Sequence, residues 1–205
     1  LLVQLAEMLQ ARVVDMNGRM NFPKTHYLSS QGNVVANADV IIGMELSDFW
    51  GVVNLLGRNG KPATPTVKPG CKLVTIGVAD IFMKSNYQDF QRYPAVDISI
   101  SGDGEATLPA LVEAVKSALS NERKSALAGR ADAFRKAHAE AYEASRQAAV
   151  FGWDSSPVST NRMCMELWQA IKGEDWSLVS VGASETFVSG WPHRLWHFDK
   201  HYQYL

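Results

Sequence analysis

Three apolar runs of strand length, Asp39–Met44, Lys72–Val78 and Val96–Ser101, are each bounded by Gly, Pro, Asn or Asp and stand far apart along the chain. Antiparallel neighbours need only a tight turn, whereas parallel neighbours need a crossover of about a dozen residues or more. The spacing therefore predicts a parallel α/β sheet whose strands are buried on both faces. A fourth run, Arg12-Val13-Val14-Asp15-Met16, reads as another short buried strand ahead of the turn signal Asn17-Gly18. The Gly- and Pro-rich stretch Gly57–Gly70 reads as a surface loop.

Helical patterns occupy the rest. Leu1, Leu2, Leu5, Met8 and Leu9 share one helical face, as do Leu108, Leu111, Val112, Val115 and Leu119. From Asn121 to Ala149 the chain is rich in Ala, Glu, Lys and Arg, with Leu127, Phe134 and Tyr142 as larger anchors, which predicts one long helix with a solvated charged face. Phe151-Gly152-Trp153-Asp154-Ser155-Ser156-Pro157 breaks it, and a domain boundary is expected there. Ser159 caps a further helix carrying Met163, Leu167 and Ile171, ending at Gly173, and Trp176–Val181 reads as a strand. Leu1 opens inside a helical pattern and the aromatic run to Leu205 closes without a polar tail, so both ends are expected to be internal to a longer chain.

With 46% hydrophobic and 20% charged residues the chain can bury a core, and a net charge of −1 supplies no field for nucleic acid or an anionic membrane. The apolar runs fall short of the roughly 20 residues that span a bilayer. Cys71 and Cys164 lack metal-ligand or disulfide spacing. The expectation is a cytoplasmic protein that binds neither nucleic acid nor membrane.

The order of four segments resembles the thiamine-diphosphate-dependent enzymes of the acetolactate synthase and benzoylformate decarboxylase type. They are the helix at Leu5-Ala6-Glu7-Met8-Leu9 with Val13-Val14 and the Phe22-Pro23, His26, Gly32 loop; Asn37-Ala38-Asp39-Val40-Ile41-Ile42-Gly43; Val96–Asp103 leading into the Leu108–Leu119 helix; and the stretch from Pro157 with Trp168, Asp175 and Val179–Gly182. The resemblance implies a Rossmann-like central domain over residues 1–150 that lacks its start. A linker at 151–157 and the truncated beginning of the diphosphate-binding domain over 158–205 follow. It also implies a parent enzyme using thiamine diphosphate and Mg²⁺ to form or cleave a carbon–carbon bond beside the carbonyl of a 2-oxo acid. That parent is a lyase or transferase and a homo-oligomer, a dimer or tetramer. The present chain is expected to be inactive without the remainder of its subunit, because the activating Glu and the metal motif lie elsewhere in the family.

The same resemblance places the cofactor's diphosphate at Gly182, Ala183, Ser184, Glu185 and Thr186, where backbone amides and two hydroxyls follow a strand. A plain helix cap is the competing reading. The family's Gln and His positions here are Glu185 and Thr186, and its His-Pro pair is His26-Tyr27. Flavin-holding members carry an Arg soon after the central strand, whereas Gly43 is followed by Met44-Glu45-Leu46-Ser47-Asp48, so FAD is not expected.

Gly102-Asp103-Gly104 lacks the downstream Asn-Asn that would make it a Mg²⁺ motif and reads as a strand-to-helix turn. His193, His197 and His201 have helical spacing, yet Pro192 and the surrounding aromatics favour an extended, interface-packed segment over a metal site. No metal ligand and no catalytic residue is assigned. His26 reads as a hydrogen bonder that fixes its loop. Two other readings stand beside the first: a stand-alone nucleotide-binding or oligomerisation module, and a nicotinamide-dependent oxidoreductase, which the missing GxGxxG disfavours.

Overall fold

The computed structural model describes residues 1–16, 20–30, 34–57, 59, 61–78, 94–179 and 190–204. The chain divides into two compact units, Gly32–Ala118 together with Leu1, and Leu2–Gln31 together with Leu119–Leu205. Residues of the first thirty share cores with the helices after Leu119.

The 32–118 unit holds a three-stranded parallel sheet. Its strands are β1 (Val40–Met44), β4 (Lys72–Gly77) and β5 (Ile98–Ser101), in the order β1-β4-β5. The register pairs Ile42 with Val74 and Val74 with Ile98, so all three side chains point to one face. Between β1 and β4 run α2 (Phe49–Val53) and an antiparallel pair, β2 (Asn54–Leu55) with β3 (Thr64–Pro65). The expected surface loop, Gly57–Gly70, thus carries β3, which pairs back onto β2 just ahead of it. Asp48 caps α2 by accepting the Gly51 N–H at 2.9 Å. Phe49 and Val53 then bury against Leu73 and Ile41 on one sheet face.

The other face corrects the expectation of strands buried on both sides. Val40 is 55% exposed and Ile98 54%, with Ile42 and Ile100 also exposed, so on this face Ile76 of the central strand is buried while the edge-strand side chains are not. After β5, α3 (Gly104–Ala118) turns inward the face that the periodicity predicts, with Val112 fully buried.

In the second unit, α1 (Leu2–Leu9) packs Ala6 against Phe22 and Leu28. The strand expected at 12–16 is reduced to a single parallel bridge between Val13 and Ser29. Val14 and Met16 are exposed, so the run has no second face to bury, and among the described residues no neighbour extends the ladder. His26 fixes the loop as expected: its Nδ1 accepts the Leu28 N–H at 3.2 Å while Nε2 meets Glu7 Oε1 at 3.2 Å.

The long helix α4 (Asn121–Ala149) starts on Ser120, whose hydroxyl accepts the Arg123 N–H, and α5 (Thr160–Ile171) starts on the expected Ser159 cap. The inward face of α5 differs from the predicted one. Met163 and Leu167 are exposed, while Cys164, Met165, Trp168 and Ile171 face the core, because Trp168 offers the larger apolar surface for burial. A core of Met20, Ala149, Cys164, Leu195, Trp196 and Phe198 gathers Trp168, Trp176 and Trp191 around it. Met20 and Ala149 belong to this core, so the aromatics after Pro157 pack against segments that precede the linker. The short helix α6 (Trp191–Leu195) replaces the extended course expected at Pro192. Of the strand expected over Trp176–Val181, the described part shows one parallel bridge, Leu178 to Tyr204. No described helix is long and apolar enough to cross a membrane.

Candidate functional site at the carboxyl edge of the sheet

Open parallel sheets bind ligands outside the carboxyl ends of their strands, where helix N-termini present unpaired amides. In the 32–118 unit that edge is formed by Glu45 after β1, Gly77 at the end of β4, and Gly102-Asp103-Gly104 between β5 and α3. The Glu45 N–H donates to the Ile76 carbonyl at 2.9 Å and extends the ladder by one bond. Its backbone then enters the left-handed region at φ 49°, a conformation costing a non-glycine residue about 1 kcal/mol. That turn carries the side chain across the edge.

There Glu45 Oε1 accepts the N–H of Gly104, the first residue of α3, at 2.7 Å. The bond is charge-assisted and sits at the positive end of a helix, where an anion is favoured. The approach is tight at Gly104, where an added Cβ would lie 3.1 Å from Glu45 Cγ, whereas at Gly77 a Cβ would meet Glu45 Cα at an ordinary 3.5 Å. Asp103 completes the helix start, its Oδ1 accepting the Ala106 N–H at 2.8 Å. Gly102-Asp103-Gly104 is therefore the strand-to-helix turn read from sequence, with its carboxylate engaged by backbone.

A nucleotide phosphate arriving at this edge would have to displace a carboxylate already seated on α3. Gly43, the glycine of β1, does not serve a ligand either: its missing Cβ makes room for Leu46 Cδ1 at 3.0 Å and the Phe49 ring at 3.3 Å. Two ion pairs stand by the other ends of the strands, Lys68 with Asp39 and Lys72 with Asp97, both at 2.6 Å. Asp97 also accepts the Leu73 N–H, and the Lys72 hydrogen bond and this amide hold its carboxyl below the usual range.

No family model, no curated protein and no solved structure matches this chain.

The cofactor segment expected at Gly182, Ala183, Ser184, Glu185 and Thr186 lies outside the described residues. Among the described residues no group of three or more His, Cys, Asp or Glu is placed to hold a metal.

The three C-terminal histidines go to different partners. His197 Nε2 lies 3.2 Å from the Tyr142 hydroxyl, His201 packs edge-on against Tyr202, and His193 Nδ1 lies 2.9 Å from Lys24 Nζ. Burial, then the neighbouring Lys24 charge, push His193 down to about 4, and burial lowers Lys24 in turn. Lys24 also sits 5.4 Å from the Phe198 ring centre and 5.6 Å from that of Tyr204. Sequence reading missed this pair, since 169 residues separate its members. Burial raises Cys164 to about 11, and it raises Cys71 as well, which suits packing rather than nucleophilic chemistry.

Proposed function

We propose that the chain is part of a thiamine-diphosphate- and Mg²⁺-dependent enzyme of the acetolactate synthase type, with residues 1–150 belonging to its central domain and 158–205 to the beginning of its diphosphate-binding domain. The parent forms or cleaves a carbon–carbon bond beside the carbonyl of a 2-oxo acid. It works in the cytoplasm as a homo-oligomer. The central domain serves as a scaffold rather than a nucleotide site, and FAD has no place in it.

One observation carries this reading. A Rossmann-like parallel sheet has its ligand edge closed by its own Glu45, seated on the Gly104 amide. Such a unit keeps the architecture of a nucleotide-binding domain while its own carboxylate occupies the phosphate position. The chain holds no activating acid or metal motif of the family, so it performs no turnover alone. The complete subunit is expected to consume pyruvate or benzoylformate only when thiamine diphosphate and Mg²⁺ are both supplied. Turnover by the 205-residue chain alone, or turnover by the subunit that requires FAD, contradicts the proposal.

A second reading, an oligomerisation module without chemistry, draws support from the sheet face left open at Val40, Ile42, Ile98 and Ile100. Sedimentation of the chain at rising concentration tests it. Self-association that Ile98→Lys abolishes favours the module, and a monomer at all concentrations removes it.

A further inference from the structure

Most described lysines that have a side-chain partner meet a carboxylate, as Lys68, Lys72, Lys116, Lys136 and Lys200 do. Among the described residues Lys24 has no carboxylate within ion-pair distance. Its Nζ lies instead 2.9 Å from His193 Nδ1 and over the rings of Phe198 and Tyr204. Both ends of the residue are fixed. The Lys24 N–H donates to the Phe198 carbonyl at 2.9 Å, and the imidazole that meets the amine packs 5.1 Å from the Phe198 ring and 4.9 Å from that of Tyr204. All these residues belong to the unit formed by 2–31 and 119–205.

These surroundings act on the charge of the amine. A neutral imidazole and two aromatic rings replace only part of the water that a half-buried ammonium loses. Burial lowers Lys24 from its ordinary value, against a smaller opposing pull from Asp15, whereas the bond to Asp97 raises Lys72. His193, pushed down to about 4, is uncharged at neutral pH. With its proton on Nε2, the ring accepts one N–H of the neutral amine at Nδ1 and leaves the nitrogen lone pair unshared. A lysine desolvated beside apolar groups is an activated nucleophile.

We propose that Lys24 is a covalent acylation site, taking a short acyl group from an activated donor, an acyl phosphate or a thioester. Nζ forms a bond to the carbonyl carbon. The bond from that carbon to the phosphate oxygen or the thiolate sulfur breaks, the leaving group takes the electron pair, and the proton displaced from Nζ goes to solvent. The amide product keeps one N–H to donate to His193 Nδ1 and loses the positive charge. A short acyl chain suits the half-buried position. The site is distinct from the carboxyl edge of the sheet and does not rest on the thiamine-diphosphate reading.

The test treats the 205-residue chain with limiting acetyl phosphate, and separately with the acetyl thioester of a small thiol, from neutral to about pH 10. Peptide mass spectrometry follows acetylation at each lysine. Near about pH 8 Lys24 is expected to react about threefold or more faster than Lys72, because a lowered pKa raises the neutral fraction more than it blunts the nucleophile. The pH–rate curve of Lys24 is expected to bend at lower pH than that of Lys72. In the chain unfolded in urea both differences are expected to disappear. Acetylation of Lys24 is also expected to move the His193 titration upward, since the neighbouring charge is gone. Reaction with one donor alone supports the site and identifies the source of the acyl group. The proposal is overturned if neither donor modifies Lys24, if its curve bends at or above that of Lys72, or if the unfolded chain shows the same preference.

Discussion

Glu45 and Gly104, the residues that follow β1 and open α3, meet through a 2.7 Å bond from the Gly104 amide to the Glu45 carboxylate. This bond ties the end of an edge strand to the helix that leaves the opposite edge. It also supplies an internal anion at the position where a ligand phosphate would otherwise sit.

Replacing Glu45 separates its two contributions. Glu45→Ala loses the charge-assisted bond and keeps a left-handed backbone that alanine resists, so it is expected to cost about 1–2 kcal/mol. Glu45→Gly loses the same bond but relieves the backbone, and is expected to cost about 1 kcal/mol less than the alanine variant. Urea unfolding at constant slope measures both, and an alanine variant as stable as the glycine variant would show the backbone to be unstrained.

Asn161 joins two helices from a buried position. Its Nδ2 donates to the Ala149 carbonyl at the end of α4 and to the Phe151 carbonyl at 2.8 Å. Asn161→Ala leaves the Ala149 acceptor without this partner and is expected to cost about 1–3 kcal/mol. Asn161→Asp sets an acceptor against two carbonyls and is expected to be worse. Thermal unfolding of both variants checks the order, which reverses if the side chain only fills space.

The Lys24–His193 contact makes stability depend on acidity. His193 is held down to about 4 by burial and by Lys24, below its ordinary value near 6.5. The unfolded chain therefore takes up the proton first. The contribution of His193 is fully present above about 6.5 and is lost as pH falls toward 4. Facing groups are Lys24 with the Phe198 and Tyr204 rings, and Asp15 acts on Lys24. The ring is part-exposed, so after screening the effect is on the order of 1–2 kcal/mol. His193→Gln is expected to flatten this part of the profile. An imidazole resonance that titrates near 6.5 in the folded chain would contradict the assignment.

Local patterns were readable where chemistry and neighbours agree. The runs at Asp39–Met44, Lys72–Val78 and Val96–Ser101 became β1, β4 and β5, and Ser159 capped α5 as its type and position suggest. Arg12–Met16 failed as a strand because strand identity depends on a partner ladder, and among the described residues only Ser29 pairs with Val13. The open sheet face was hidden for a related reason: Val40 and Ile98 look like core residues in one dimension, and only the placement of helices decides what covers them. The aromatics around Pro192 read as interface-packed, but the contacts of the Trp cluster with Met20 and Ala149 are nonlocal and no local pattern announces them. At the candidate site, Glu45 and Gly102-Asp103-Gly104 were each noticed alone. Their junction needed the strand order, which brings the ends of β1 and β5 to the same edge of the sheet.

The central claim, that these residues belong to a thiamine-diphosphate enzyme, is tested most directly by determining the coding sequence on both sides of Leu1 and Leu205. The account predicts an activating Glu within an upstream pyrimidine-binding domain and a downstream Gly-Asp-Gly followed by Asn-Asn for Mg²⁺. A start codon immediately before Leu1 and a stop codon immediately after Leu205 would contradict it.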